Sequence, residues 1–194
     1  MVTKAIPEQD MAYLNYVAEQ NQVCLIGPGS PGVYSVGESK AGVMPTKEFK
    51  KGKLGLITKS GTLTYELTRL LTNRGIGQST VVGIGNDFIA GTRFKELLQL
   101  FEADPQTHQV LMQANANGIG EVEAADMISS MSKPVIVYMP ELEPEVSDFH
   151  FEGFKLQSKK MSYDVKYNLL AKSGGIMVKK MSQIHTVLKS FGYK

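Results

Sequence analysis

Apolar residues along this chain alternate between short runs typical of buried strands and stripes with the 3.6-residue period of a helix. The clearest case begins at residue 54, where the β-rich run 54–58 leads into the small-residue turn Ser60-Gly61-Thr62 and then into a helical stripe that ends before Gly75. The apolar positions of that stripe are Leu63, Leu67, Leu70 and Leu71. The pattern predicts a strand, a tight turn and an amphipathic helix over residues 63–74.

The same alternation continues along the rest of the chain. Further strands are predicted at residues 23–26, 80–84, 109–113, 134–139 and 176–178, and helices at 8–19, 94–102, 121–131, 163–172 and 181–191. Strands that alternate with helices through short loops favour a doubly wound α/β fold, with a parallel sheet and helices on both faces. Ligands bind such sheets at the carboxyl ends of the strands, so the loops after Thr58, Ile84, Gln113 and Met139 are expected on one rim.

The turn Ser60-Gly61-Thr62 is a candidate anion site. The first N–H groups of a helix have no partner within the helix, and the helix dipole is positive at that end. Ser60 and Thr62 add hydroxyl donors to these groups. The alternative is that Ser60 only caps the helix, which is a common role for serine at this position.

Composition excludes several function classes. The 194 residues include 21 basic and 19 acidic ones, and no long basic run gives a case for nucleic acid. No apolar run reaches the length of a membrane span, and no signal peptide is visible, so a soluble intracellular protein is expected. The single cysteine, Cys24, lies in the apolar run 23–26, which predicts a buried, unreactive thiol. No His, Cys or Asp cluster has metal-ligand spacing, so no metal is expected.

The segment 27–32 (GPGSPG) matches the dinucleotide-binding pattern G-x-G-x-x-G by its letters alone. In a Rossmann fingerprint the third glycine opens a helix. Residues 33–43 are instead interrupted by glycine and are β-like, so we reject a dinucleotide site here.

Several segments resemble the succinyl-CoA synthetase α-subunit family over nearly the whole chain. The most specific are SGTLTYE at 60–66 and GQSTVVGIG at 77–85, and others include IPEQDM at 6–11 and FEADPQT at 101–107. The resemblance implies a flavodoxin-like ligase domain that carries a phosphorylated histidine and follows a CoA-binding Rossmann domain. It also implies an enzyme that makes succinyl-CoA from succinate, CoA and a nucleoside triphosphate, together with an ATP-grasp β-subunit.

The sequence departs from the family at its catalytic motifs. Ungapped counting puts Glu152 at the position of the family's histidine, and His150 lies two residues earlier. Asn115 stands where a glutamate orients that histidine in the family, and the family's GIGGDP reads GIGNDF at 83–88. An anionic Glu152 repels phosphate, and an amide at residue 115 cannot supply a carboxylate's charge to an imidazolium.

These departures lead to three hypotheses. The first is a degenerate, non-catalytic α-like subunit that is kept for its fold and its surfaces. The second is an active acid–CoA ligase subunit, ADP- or GDP-forming, which is phosphorylated on His150 after the loop shifts register and receives its CoA domain from another polypeptide. The third is a fragment of a longer gene product. CoA and nucleotide are implied by the resemblance only, and no catalytic residue is assigned with certainty.

The chain divides into residues 1–45, read as the remnant of a CoA-binding domain plus a linker, and residues 46–194, the flavodoxin-like domain. One helix and one strand of a missing domain, residues 8–26, leave apolar surface that a partner must cover. We expect a β-like subunit or a larger complex, and in second place a homodimer. The family works in the tricarboxylic acid cycle, so the expected compartment is the mitochondrial matrix or a bacterial-type cytoplasm.

Overall fold

A computed structural model of the chain describes residues 1–86, 89–115, 120–140 and 163–193. The strands in these residues are β1 (Gly32–Ser35), β2 (Ser39–Gly42), β3 (Lys51–Thr58), β4 (Gln78–Gly83), β5 (Gln109–Gln113), β6 (Val135–Tyr138) and β7 (Ile176–Val178). The α-helices are α1 (Glu8–Gln20), α2 (Gly61–Asn73), α3 (Phe94–Ala103), α4 (Gly120–Ser130), α5 (Tyr163–Lys172) and α6 (Met181–Ser190), and a 3-10 helix spans Thr46–Glu48.

The strands form one sheet in the order β2-β1-β4-β3-β5-β6-β7. Strands β3 to β7 pair in parallel, whereas β1 pairs antiparallel with both β2 and β4. The prediction of a parallel α/β fold with helices on both faces is confirmed, with one addition. The β-like stretch 33–43 forms an antiparallel hairpin that joins the sheet at its β4 edge.

Two apolar layers hold the helices against the two faces of the sheet. Side chains alternate along β3, so Leu54 and Leu56 point to one layer while Ile57 points to the other. The first layer contains buried leucines of α2 and α6, and the second contains buried residues of α3, α4 and α5. Helix α2 therefore lies on the opposite face of the sheet from α4, which decides where the site forms.

The helix predicted after residue 60 is confirmed, although Leu63 of its predicted apolar stripe is only partly buried. Leu67 and Leu71 are fully buried, and Leu70 packs against the same apolar layer. Most other predicted elements agree with the structure to within two residues at each end, while β3 starts three residues earlier than predicted. None of the helices in the described ranges is long and apolar enough to cross a membrane.

The strand predicted at residues 23–26 is wrong. These residues follow the end of α1 and pair with no strand of the sheet. The prediction that Cys24 is a buried core thiol is also wrong, since Cys24 is exposed and its Sγ lies 3.1 Å from Oγ1 of Thr92. The backbone of this segment contacts a loop instead, where N–H of Thr92 donates to the carbonyl of Leu25 at 2.7 Å.

The GPGSPG segment leads into a strand rather than a helix, as predicted, and it packs against the loop after β4. The N–H of Gly32 donates to Oγ of Ser30 at 2.8 Å, and Ser30 itself donates to the carbonyl of Gly83. Gly85 has φ +89°, and a Cβ at this position would lie 1.9 Å from the carbonyl oxygen of Pro28. Only glycine allows the two loops to approach this closely.

Candidate functional site

The carboxyl ends of four parallel strands lie on one edge of the sheet, which we call the rim. The rim residues are those that directly follow β3, β4, β5 and β6. Because these strands are parallel neighbours, the prediction that the loops after Thr58, Ile84 and Gln113 share one rim is confirmed. The chain leaves the adjacent strands β3 and β5 toward opposite faces, into α2 and α4, and such a divergence opens a crevice that ligands occupy in doubly wound sheets.

The start of α2 forms one side of this crevice. Ser60 is the N-cap, and its Oγ accepts the N–H of Leu63 at 3.3 Å. Within the described residues, the N–H groups of Gly61 and Thr62 donate no hydrogen bond. A Cβ on Gly61 would meet nothing within 4 Å, so the helix end is open. Ser60 thus caps the helix and still leaves the two N–H donors available to an anion.

Buried hydroxyl groups fix the turn between β3 and α2. The side chains of Thr58 and Thr64 are fully buried and their Oγ1 atoms are hydrogen-bonded to each other. Oγ1 of Thr64 also lies 2.8 Å from the carbonyl of Ser60. These contacts satisfy polar groups that would otherwise be buried without partners, and they hold the helix start in place.

A cluster of charged side chains lies beneath the rim. Glu121, at the start of α4, is fully buried, and its Oε1 lies 2.7 Å from Nζ of Lys59. Its Oε2 lies 3.7 Å from Nζ of Lys166 on α5, which is only 2% exposed. The same carboxylate accepts the backbone N–H of Asn115 at 3.1 Å. The cluster therefore joins the ends of β3 and β5 to α4 and α5.

The pKa of Lys166 is lowered from the ordinary lysine value. Burial is the main cause, because the charged ammonium loses its hydration. The carboxylate of Glu121 opposes this shift, while the nearby ammonium of Lys59 adds to it. Buried ion clusters of this kind occur where they hold a fold together, and ionisable groups with shifted pKa values are also common at functional sites.

Side-chain amides cross the crevice from β3 to the loop after β4. The backbone N–H of Lys59 donates to Oε1 of Gln113 at 3.0 Å, and Nε2 of Gln113 donates to Oδ1 of Asn115 at 2.6 Å. Nδ2 of Asn115 then donates to Oδ1 of Asn86 at 3.1 Å. We call Gln113, Asn115 and Asn86 the amide chain.

The sequence of this rim and of the sheet beneath it matches a known protein family. Residues 51–191 match the family described as succinyl-CoA ligase like flavodoxin domain. The chain belongs to this family. The matched residues contain the turn that starts α2, the charged cluster and all of the amide chain.

Relatives within the succinyl-CoA ligase-like flavodoxin domain family are α-subunits. Succinate–CoA ligase [ADP-forming] subunit alpha 1 of Archaeoglobus fulgidus is 44% identical over 138 residues, 71% of this chain and 47% of that protein. The α-subunit of succinate–CoA ligase from Aquifex aeolicus is 36% identical over 193 residues, 97% of this chain and 63% of that protein. The matched part of this chain thus spans between about half and two thirds of the length of these relatives.

Solved structures share the fold over nearly the whole chain. ATP citrate lyase from Methanothrix soehngenii, in complex with citrate and coenzyme A, superimposes with a TM-score of 0.81 at 17% identity, covering 99% of this chain and 35% of that one. The protein PH0766 from Pyrococcus horikoshii gives a TM-score of 0.75 at 15% identity, covering 96% of this chain and 39% of that one. At such low identity these likenesses concern the fold alone.

The structure brings together some of the residues that the sequence singled out. Ser60, Gly61 and Thr62 begin α2 on the rim, and Asn115 follows the neighbouring strand, joined to them through Gln113 and the N–H of Lys59. His150 and Glu152 lie outside the described residues. The described residues contain no group of three His, Cys, Asp or Glu side chains that could hold a metal ion.

Sequence reasoning missed the charged cluster of this family member. The position of Lys166 could have indicated the cluster, because this residue lies in the apolar stripe of α5 between Tyr163 and Leu170. Burying a lysine there without a partner would be costly. The position of Glu121 could not, since an acidic residue in the first turn of a helix is common at the surface of proteins.

Replacing Glu121 by glutamine tests whether the cluster stabilises the rim. The Glu121→Gln variant removes the counter-charge that the buried ammonium group of Lys166 and the partly buried one of Lys59 contact, and we expect a loss of about 3–5 kcal/mol in the free energy of unfolding. The matched control is Glu123→Gln on the same helix, whose partner Arg93 is 46% exposed, with an expected change below about 1 kcal/mol. Urea unfolding followed by circular dichroism measures both, and equal effects would contradict the role of the cluster.

Proposed function

We propose that this chain is a catalytically degenerate α-like subunit of a CoA ligase, which keeps an oxyanion-binding rim and acts within a protein complex. The observation that carries the proposal is the neutral amide of Asn115 at the centre of the rim. Its two functional atoms already bond Gln113 and Asn86, so it is held in place as part of the amide chain. By the resemblance, a carboxylate stands at this position in the family.

The lost charge bears directly on phosphoryl transfer through histidine. A histidine that attacks phosphorus must present one unprotonated nitrogen, and a carboxylate on the other nitrogen holds the tautomer and stabilises the positive charge that develops. An amide can accept a hydrogen bond but carries no charge for that imidazolium. Together with Glu152 at the histidine position of the sequence, two separate parts of the mechanism are altered.

Oxyanion binding does not depend on either of those residues. The N–H groups of Gly61 and Thr62 are backbone donors at the positive end of a thirteen-residue helix, and any anion that reaches them gains from both features. Thr62, which carries a hydroxyl donor, is exposed at the same helix end. We therefore assign Ser60, Gly61 and Thr62 as the phosphate-binding residues of this proposal.

Assembly with another chain is the remaining part of the proposal. The relatives are named as α-subunits, and this chain exposes large apolar side chains around a cavity of about 270 Å³ beside α3. Leu100, which lines that cavity, is 60% exposed, and Val23, which precedes the lining residue Cys24, is 58% exposed. Burying apolar surface of this kind is worth about 25 cal/mol per Å². We propose that a β-like subunit or a larger complex covers this apolar surface, and the second candidate is another copy of the chain in a homodimer.

The alternative function is an active acid–CoA ligase subunit that is phosphorylated on His150 and uses a CoA domain supplied in trans. Both functions predict phosphate binding at the rim, but only the active enzyme forms a phosphoenzyme. Covalent phosphate therefore separates the two.

Phosphorylation is tested by incubating the chain with radiolabelled ATP and a succinate–CoA ligase β-subunit, and separately with succinyl-CoA and labelled phosphate. We expect no acid-labile phosphate on the chain, because both the attacking histidine and its carboxylate are altered. The α-subunit of Aquifex aeolicus serves as the positive control. Acid-labile label that disappears in a His150→Asn variant would establish the active alternative instead.

Anion binding at the helix start is tested with Thr62→Asp. The new carboxylate competes for the N–H donors of α2, so the dissociation constant for inorganic phosphate should rise about tenfold at low ionic strength, while helix stability rises by about 0.3–1 kcal/mol. The control Asn73→Asp adds the same charge at the other end of α2 and should leave phosphate affinity unchanged. Titration by calorimetry that finds no phosphate binding to the wild-type chain would refute this part of the proposal.

Assembly is tested by measuring the molar mass of the natively purified protein with light scattering after size exclusion. We expect a mass well above the 21.3 kDa of one chain, and a Leu100→Asp variant should reduce that mass, because a charge at this exposed apolar position opposes burial. A wild-type protein that stays a monomer at micromolar concentration in the presence of a β-subunit would count against assembly.

A further inference from the structure

Three segments of the chain that reach the amino end of the sheet contain no acidic residue. They are residues 49–58, which lead into and form β3, residues 67–75, which end α2, and residues 179–193, which contain α6. Nζ of Lys50 donates to the carbonyl of Gly75 at 3.3 Å, and α2 and α6 pack against the same face of the sheet. The segments therefore bring basic side chains together without a carboxylate of their own to pair with them.

Four of these basic side chains form a cluster, which we call the basic surface. Its members are Lys50, Arg74, His185 and Lys189. Arg74 directly follows α2, while His185 and Lys189 lie four residues apart on α6 and therefore on the same side of that helix. The end of α6 lies at the amino end of the sheet, because the hydroxyl of Tyr193 donates to Oε1 of Gln109, the first residue of β5, at 2.7 Å.

The pKa of His185 reflects the charges around the basic surface. It is lowered from the ordinary histidine value, first because partial burial removes hydration, and then because Lys189 and Arg74 carry positive charges nearby. Among the described residues, no acidic side chain raises this pKa. The imidazole thus lies among cations that no carboxylate compensates.

The cations of the basic surface are available to a partner. Lys50, Arg74 and Lys189 are exposed, and none of them forms an ion pair with another described residue. The dipoles of α2 and α6 favour a cation at each helix end, which accounts for Arg74 and Lys189 separately. They do not account for the approach of both residues to His185, because cations that lie close together repel one another.

We propose that the basic surface is a docking site for an acidic segment of another protein, one that carries several Asp or Glu side chains. Charge complementarity selects such a partner, since its carboxylates supply the opposite charges that the three segments lack. Cations contributed by three separate elements suit several carboxylates along a peptide better than one compact anion. A nucleic acid is disfavoured, because the whole chain has a net charge of only +2.

The basic surface is separate from the rim and from the cavity beside α3. Helix α2 starts at the rim with Gly61 and ends beside Arg74, and its thirteen residues span about 20 Å. The cavity borders the opposite face of the sheet, where Leu97 and Phe101 pack. A partner at the basic surface leaves both of these sites open, so this inference goes beyond the proposed function.

The test is the fluorescence anisotropy of a labelled octaglutamate peptide that is titrated with the wild-type chain at low salt. The variant Arg74→Glu/Lys189→Glu reverses two charges of the basic surface, and we expect its affinity for the peptide to fall by about tenfold or more. The control Lys4→Glu/Lys95→Glu makes the same change of net charge at exposed positions elsewhere. It should lower the affinity by about twofold at most, because distant exposed charges are largely screened.

A second variant, Arg74→Gln/Lys189→Gln, removes the two charges without reversing them, and it serves as the test if the first variant does not fold. It should lower the affinity for the peptide several-fold. Circular dichroism checks that every variant keeps the helix content of the wild type. Added salt should weaken the binding of the peptide to the wild-type chain, because the contacts are between exposed charges.

Three results would overturn the inference. The first is a wild-type chain that does not bind the peptide, and the second is a control that loses as much affinity as Arg74→Glu/Lys189→Glu. The third is a single-stranded oligonucleotide of equal charge that binds more tightly than the peptide. Phosphate binding at the rim should be the same in the wild type and in these variants, so that a failure of this inference is distinguishable from a failure of the proposed function.

Discussion

The fully buried carboxylate of Glu121 contacts the ammonium groups of Lys59 and Lys166, and this contact joins parts of the chain that are far apart in sequence. Taking each of these ions out of water costs several kcal/mol, and the mutual attraction offsets that cost only when the remaining atoms are also satisfied. The N–H of Asn115 supplies one such bond to the carboxylate. Glu121 lies at the start of α4, Lys59 directly follows β3, and Lys166 lies in α5. The shape of the rim therefore depends on this cluster, because it holds these three elements together.

The rim separates charged groups from neutral hydrogen-bonding groups. Charged groups lie beneath it, where Lys166 is 2% exposed and the carboxylate is inaccessible, whereas neutral amides and backbone N–H groups line its surface. A buried cluster fixes geometry without presenting its negative charge to a ligand. The backbone N–H of Lys59 donates to Gln113 at one end of the amide chain, and the side chain of the same residue binds Glu121. One residue therefore couples the buried ions to the exposed donors.

Much of the fold could be predicted from sequence, because the elements of the sheet carry strong periodic signals. Leu67 and Leu71 of α2 and the apolar run of β3 are buried as their spacing predicts. Residues 23–26 show the limit of such signals, since an apolar run becomes a strand only if it pairs with another strand, and Leu25 accepts a hydrogen bond from a loop residue, Thr92, instead. The exposure of Cys24 follows from the same cause. The start of α2 and Asn115 could be placed on one rim from topology, but their link through Gln113 depends on side-chain directions that no periodicity encodes.

The apolar core and the rim of this domain are built from different residues. The two apolar layers contain residues such as Leu56 and Ile57 on the strands and leucines on the helices, whereas Asn86 and Asn115 belong to neither layer. Substitutions at these two positions therefore leave the burial that stabilises the sheet untouched. The two side chains depend instead on each other, because Nδ2 of Asn115 donates to Oδ1 of Asn86. Asn86 and Asn115 are therefore coupled to each other without contributing to either apolar layer.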